Sequence, residues 1–395
     1  MKKLAFLLAM LLPIPALALQ DDDGNDGKVQ PSRTILKKAV TVPLDVGVGK
    51  PVVQVKVNGK GPYPFLLDTC AGGSVINADL VKELGLPKVG KTQLGDPSNP
   101  KAITADRIHI DRIEVGDASF EDFEAASWDR AHLYPGKDAP RGILGFPLFS
   151  GCLLTLDYVH GKLTLSNGTL PASGTDGVTD FHIGHGGIPV LEIDIAGKTY
   201  AAHLDSGAMS GLAVNPSVAE KLPLSGEPTV IGRGRTVNSE FELKASTLDG
   251  KMKLADTVFD KPEIVINPIL KEVNIGSRLM EDATITFDQQ SGRLRFTRDP
   301  SAPAMPKSSR PRLGLMMARK NANDVEELSI DHVVPKSPAE KAGLKAGDVI
   351  TEINGQDALQ MTDSAMKKEF AREKVEFKIK RDGAAKTISV DLRGA

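Results

Sequence analysis

Two short segments carry the residues most able to do chemistry. Asp68-Thr69-Cys70-Ala71 and Asp205-Ser206-Gly207-Ala208 each set a carboxylate at the end of an apolar run, then a hydroxyl residue, then small residues, and they lie 137 positions apart. One such aspartate is an ordinary turn residue. A repeated pair is different, because two carboxylates brought to one site cannot both ionise easily and hold one proton between them. The ionised member can take a proton from water while the protonated member hydrogen-bonds the group that the water attacks. That chemistry requires no metal, no cofactor and no covalent intermediate.

The segments that must position these aspartates repeat as well. Val52, Val53, Val55, Val57, Gly59 and Lys60 match Val190, Leu191, Ile193, Ile195, Gly197 and Lys198 at an offset of 138. Further on, Gly145 and Gly276 are 131 apart, as are Thr155 and Thr286, Asp157 and Asp288, and Gly161 and Gly292. Three blocks recur in the same order. Two copies are too few for a solenoid, so they predict a duplicated lobe with a pseudo-two-fold axis. Each copy has the alternation of a β-hairpin: 52–57 followed by an Asn58-Gly59 turn, then 153–157 and 162–165 about His160-Gly161, with 284–288 and 293–296 as the second copy's partner. A helix is predicted over 77–84 with Asn77 as its N-cap.

Taken together, the two Asp-Thr/Ser motifs and the two later glycine motifs, Ile143-Leu144-Gly145 and Asn274-Ile275-Gly276, resemble the pepsin/retropepsin family of aspartic proteases over residues 39–298. The resemblance implies a mainly β fold of two lobes with a cleft between them. It implies Asp68 and Asp205 as the catalytic pair acting on a polypeptide substrate. Thr69, Cys70, Ser206 and Gly207 would support the catalytic loops, with the two hydroxyl residues bonding across the lobes. Hairpin flaps would cover the substrate; Gly95-Asp96-Pro97-Ser98 and Gly232-Arg233-Gly234-Arg235 are candidate tips, or plain surface turns.

Cys70 departs from the family, which has glycine there, while Gly207 keeps it. A cysteine retains the N–H but adds a side chain beside the reacting centre. It is free to crowd the water site, to pair with Cys152, or to pack as a small buried hydrophobe. The alternative function that follows is a peptide-binding protein with impaired catalysis. A nucleophilic Cys/His pair has no histidine placed near it by the sequence. His182 and His185 lie in a Gly-rich stretch without the spacing of metal ligands, so no metal site is expected.

Residues 311–395 form a separate module. Leu313-Gly314-Leu315, Ser337-Pro338-Ala339 and the run from Ala346 to Gly355 resemble a PDZ domain of the bacterial protease type. Ser337 is expected to cap a short helix that Gly343 ends, a strand to run over 349–353, a second helix over 362–372, and final strands over 375–379 and 387–392. The resemblance implies that Leu313, Gly314 and Leu315 receive the C-terminus of a peptide or protein partner by strand addition. Residues 299–310, rich in Pro, Ser and Ala, are expected to be a linker.

The outer limits come from composition. With Lys+Arg 49 against Asp+Glu 51 there is no basic excess to attract nucleic acid, and 2 cysteines exclude a disulfide scaffold or a four-cysteine zinc site. Lys2 and Lys3 ahead of an apolar run ending in Ala16-Leu17-Ala18 predict a signal peptide over 1–18. The protein is therefore expected to be exported, periplasmic or secreted, with no membrane span after signal cleavage. Residues 19–38 are expected to be a flexible acidic segment. The division that follows is 39–170 and 171–298 for the two lobes, 299–310 for the linker and 311–395 for the PDZ domain.

Overall fold

A computed structural model describes residues 28–47, 49–94, 103–129, 139–235, 240–302, 313–322 and 325–393. The expected signal peptide, the acidic cluster at 21–23, the candidate tip at 95–98 and residues 303–310 of the expected linker lie outside the described residues. The fold is mainly β.

Each half is organised around the strand that ends in its aspartate. Val52–Val57 and Lys60–Asp68 form a hairpin whose turn residues Asn58 and Gly59 have φ of 49° and 79°. Pro189–Ile195 and Lys198–Asp205 repeat it, with 52° and 79° at Ala196 and Gly197. Two successive positive φ values give the turn whose twist matches that of the strands it joins. Both sheets then run in one order. In the first half it is Ala118–Trp128, Val75–Asn77, Gly142–Gly145, Lys60–Asp68, Val52–Val57; in the second it is Glu263–Ile266, Leu212–Val214, Val273–Gly276, Lys198–Asp205, Pro189–Ile195.

The closing hairpins of the two halves merge into one sheet rather than staying within separate lobes. Leu153–Asp157 pairs antiparallel with Ala283–Asp288, and Thr155 falls opposite Thr286. These residues are equivalent in the duplication, so the two-fold axis passes between them; their hydroxyl oxygens are 2.9 Å apart. Phe146, Phe181 and Phe287 meet edge-on at this base, with ring centroids 5.2, 6.1 and 6.3 Å apart, and one continuous core runs through both halves. Edge-to-face packing of this kind adds to simple area burial.

Two local expectations are corrected. Residues 33–35, expected within a flexible segment, form a strand against Ala118–Trp128, and Arg33 bonds Glu121. The acidic composition that suggested flexibility belongs to the residues before them. The helix Ala78–Leu84 ends at Gly85 in the left-handed conformation as its sequence suggests, but Asn77 does not cap it; its Nδ2 donates to the Pro140 carbonyl, 3.2 Å away.

The C-terminal module has its own six-stranded sheet and its own core. Ser337 Oγ accepts from Glu340 N–H at 3.3 Å to cap Pro338–Lys341, and Thr362 does the same for Asp363–Phe370 through Ala365 N–H at 3.1 Å. Leu315–Ala322 forms one edge of the sheet. Leu315 and Met317 point into the core, whereas Met316 between them is buried outside it. Met316 lies against Gly232, where an added Cβ would sit 2.4 Å from its Sδ. This contact joins Met316 of the module to the strand Thr229–Arg235 of the second half.

Candidate active site

The strand that ends in each aspartate lies beside a strand that ends in a glycine. Lys60–Asp68 runs parallel to Gly142–Gly145 with Asp68 opposite Gly145, and Lys198–Asp205 runs parallel to Val273–Gly276 with Asp205 opposite Gly276. The loop beyond each aspartate folds back over that glycine. A Cβ at Gly145 would lie 2.5 Å from the Gly73 carbonyl oxygen, and one at Gly276 2.3 Å from that of Ser210. Backbone approaching backbone this closely leaves room for no other residue.

The two aspartate loops are tied by reciprocal bonds across the axis. Thr69 Oγ1 donates to the Leu204 carbonyl at 2.6 Å and accepts from Ser206 N–H at 3.0 Å; Ser206 Oγ donates to the Leu67 carbonyl at 2.8 Å and accepts from Thr69 N–H at 3.0 Å. All four groups are buried. Buried polar groups that satisfy one another in this way fix a single geometry, since breaking one bond strands its partner in a low-dielectric interior.

This grip brings the two carboxylates together. Asp68 and Asp205 are 1% and 0% exposed. A Cβ at Gly207 would lie 2.3 Å from Asp68 Oδ2, so the first carboxylate lies against the second loop. Asp68 Oδ1 accepts from Cys70 N–H and Asp205 Oδ1 from Ala208 N–H, each at 2.9 Å. Asp205 Oδ2 accepts from Asn274 Nδ2 at 2.8 Å. Burial raises the Asp205 carboxyl above its usual range, against the lowering effect of the Asn274 bond, the charge of Lys50 and the Gly207 and Ala208 N–H groups.

Cys70 keeps the N–H bond to the carboxylate, and its side chain is buried, with Sγ 3.8 Å from the Leu204 carbonyl oxygen. Burial, and then the charges of Asp205 and Asp68, hold its thiol far above the ordinary range. Cys152 is also free, and burial pushes it up to about 12. Both shifts disfavour the thiolate, the reactive form of a cysteine. Among the described histidines, the ring nitrogens of His109 face Asp111 and Asp122, those of His160 face Asp157, and those of His203 face the Pro189 carbonyl and Glu272. None of these partners is a serine or cysteine.

The remaining candidates divide. Gly232–Arg235, a candidate flap tip or plain surface turn, is instead part of the strand Thr229–Arg235, paired with Glu240–Thr247; residues 236–239, between these two strands, lie outside the described residues. The counterpart hairpin is Lys88–Leu94 with Ile103–Val115. His182 belongs to the strand Val178–Ile183 rather than to a loop, because 178–183 pairs with strands on both sides. In the C-terminal module, Leu313 and Leu315 are core residues, and Gly314 has φ 72° and lies against Ser337. Two residues that act on Asp205, Asn274 by a hydrogen bond and Lys50 by its charge, are not among the site residues expected from the sequence. Asn274 stands as a loose match to an apolar position of the glycine motif; a polar residue inside an otherwise apolar buried strand is the signal that marks it.

The aspartyl protease family profile matches residues 53–148 and 191–285, and the PDZ domain profile residues 303–380. The chain pairs a protease fold with a PDZ domain. A stretch of 99 residues is 41% identical to a probable periplasmic serine endoprotease, DegP-like, from Marinomonas sp. (strain MWYL1), covering 22% of this chain and 20% of the relative, so the chain spans about one fifth of that relative's length. Basic 7S globulin from soybean, a crystal structure, aligns with 66% of this chain and 95% of its own at 12% identity and a TM-score of 0.40. No helix among the described residues is long and apolar enough to cross a membrane.

Proposed function

We propose that this chain is an exported aspartic-type endopeptidase whose PDZ domain selects polypeptides by their C-termini. The observation that carries the reading is the pair of buried carboxylates held across the axis by reciprocal Thr69 and Ser206 bonds, with Asp68 lying against Gly207. Water between the carboxylates gives a proton to the ionised one as its oxygen bonds to the peptide carbonyl carbon. The protonated one passes its proton to the carbonyl oxygen, giving a neutral diol. As the C–N bond breaks, the nitrogen takes the proton just gained from water, and the other carboxyl recovers its own from the diol.

The same site supports the aspartic type. The likeness to a serine endoprotease covers 22% of this chain, and the ring-nitrogen partners given above for His109, His160 and His203 include no serine or cysteine. An aspartic mechanism uses neither thiol nor metal. Cleavage of casein at acidic to neutral pH is therefore expected to persist at the untreated rate after iodoacetamide and after chelation with EDTA. Loss of more than half the rate under either treatment would contradict the reading.

The PDZ proposal is supported by Leu315–Ala322, which pairs with only one strand, Val325–Val333, in its sheet, since strand addition uses the unpaired side of such an edge. Deleting residues 311–395 is expected to leave hydrolysis of a short internal peptide within about twofold while changing which proteins in a mixture are cut. Mass spectrometry of the products checks it; identical cleavage patterns with and without the module would refute the role.

A further inference from the structure

The C-terminal module and the second half meet at a glycine that the module explains. Gly232 has no left-handed φ, so its backbone does not require glycine. The space over its Cα is filled instead: an added Cβ would lie 2.4 Å from Met316 Sδ and 3.1 Å from Met316 Cε. Met316 is 4% exposed and lies outside the module's core, while Leu315 and Met317 on either side lie in it. Both strand pairs are irregular here. Thr229–Arg235 shifts register against Glu240–Thr247 between Val230 and Gly232, and Leu315–Ala322 shifts against Val325–Val333 between Met316 and Met317. Such shifts bend a strand and re-aim its side chains. The hairpin of the first half also shifts register at a glycine, between Lys88 and Gly90, but there the glycine is exposed.

Each side of the contact leads to a segment with a role. On the module's side, Met316 directly follows Leu313-Gly314-Leu315, the segment expected to receive a C-terminus. That segment is fixed within the module, since the Leu313 and Gly314 carbonyls accept from Ala339 and Val334 N–H at 3.0 and 2.8 Å. On the other side, Ile231 packs with Ala213 and Val265. One sheet runs from Thr229–Arg235 through Glu240–Thr247, Glu263–Ile266, Leu212–Val214 and Val273–Gly276 to Lys198–Asp205. Neighbouring strands are about 4.8 Å apart, so the contact lies about 25 Å along the sheet from the strand that carries Asp205.

We propose that the Met316–Gly232 contact makes this enzyme count from the C-terminus of its substrate. A polypeptide whose terminal carboxylate is held at Leu313–Leu315 reaches the aspartates over a fixed span. Its substrates are then chains with an extended C-terminal tail, cut at a set number of residues from the end. This counting rests on the aspartic and PDZ readings above and adds to them where the cut falls. Without the contact the span would be set only by residues 303–312, a length of chain that reaches up to about 35 Å and defines no single distance. With it, the stretch of sheet and the receiving segment together correspond to on the order of ten residues of extended substrate, at about 3.4 Å each. A short peptide reaches the aspartates without the module, so the contact leaves its hydrolysis unchanged.

Polypeptides built of identical short repeats test it, because every repeat offers the same bonds. They are made in several lengths, ending in each amino acid in turn, as free acids and as C-terminal amides. Mass spectrometry locates the first cut made by the full chain, by Met316→Glu and by Gly232→Leu, with thermal midpoints to show folding and the rate on a short blocked peptide as a control. Met316→Ala and Gly232→Ala replace either variant that does not fold. In wild type the free acids that are cut best are expected to be cut at one distance from the C-terminus whatever their length, on the order of ten residues in. In the variants the cuts are expected to spread over the repeats, while the preference for free acids and the short-peptide rate stay at the wild-type level. Scattered cuts in wild type despite a preference for free acids would overturn the counting, as would an unchanged distance in two folded variants. Failure of the PDZ reading looks different: free acids and amides would be cut alike. Failure of the aspartic reading would show as no cleavage by wild type, or as cleavage that survives asparagine at both aspartates.

Discussion

Asparagine at Asp68 or at Asp205 is expected to lower casein cleavage by at least about 10³-fold, since a positioned proton-transfer group contributes about 10²–10⁴-fold and each carboxyl must both give and receive a proton in the cycle. The loss should not come from unfolding. The bonds that join the lobes run through Thr69, Ser206 and the carbonyls of Leu67 and Leu204, none of which involves a carboxylate. Thermal midpoints within a few degrees of wild type, measured alongside the rates, separate lost chemistry from lost structure. Cleavage retained in both variants would refute the pair.

The largest effect on stability is expected at the glycines behind the aspartates. In Gly276→Ala the new Cβ would lie 2.3 Å from the Ser210 carbonyl oxygen and 2.9 Å from that of Ala208; in Gly145→Ala it would lie 2.4 Å from the Gly73 carbonyl carbon. These neighbours are main chain of the aspartate loops, so the strain cannot be relieved by turning a side chain. Overpacking of this kind costs about 1–3 kcal/mol and sometimes more. With backbone on both sides we expect the upper end, a fall in thermal midpoint of about 6–12 °C for a unit of this size. Circular dichroism melts of Gly145→Ala and Gly276→Ala check it, and a change under a degree in both would show that the loops do not fold over these residues.

The arrangement of the site is legible in the sequence because it is duplicated. The offsets of 137 and 131 mark the aspartates and the glycines, and the strands pair them as Asp68 with Gly145 and Asp205 with Gly276. Alternation and the two-residue turns are enough for the hairpins, since both are local properties. What local pattern does not encode is partnership across the axis. The merging of 153–157 with 283–288 into one sheet depends on how two halves meet, as does the direction of the Cys70 thiol. Asn77 fits an N-cap by type, yet a tertiary partner, the Pro140 carbonyl, takes its side chain. Arg33–Ile35 is a strand because Ala118–Trp128 offers an edge, which nothing in residues 19–38 reveals. Asn274 and Lys50 are visible in principle, as polar residues that stand opposite Ile143 and Ile188 in the repeat.

The most direct measurement is an active-site titration of the purified protein with a statine peptide, paired with labelling by a fluorophosphonate. The account predicts that one statine peptide per chain abolishes casein cleavage, that asparagine at Asp205 removes this binding, and that the fluorophosphonate labels no residue. Stoichiometric labelling of a serine with matching loss of activity, and indifference to the statine peptide, would contradict it.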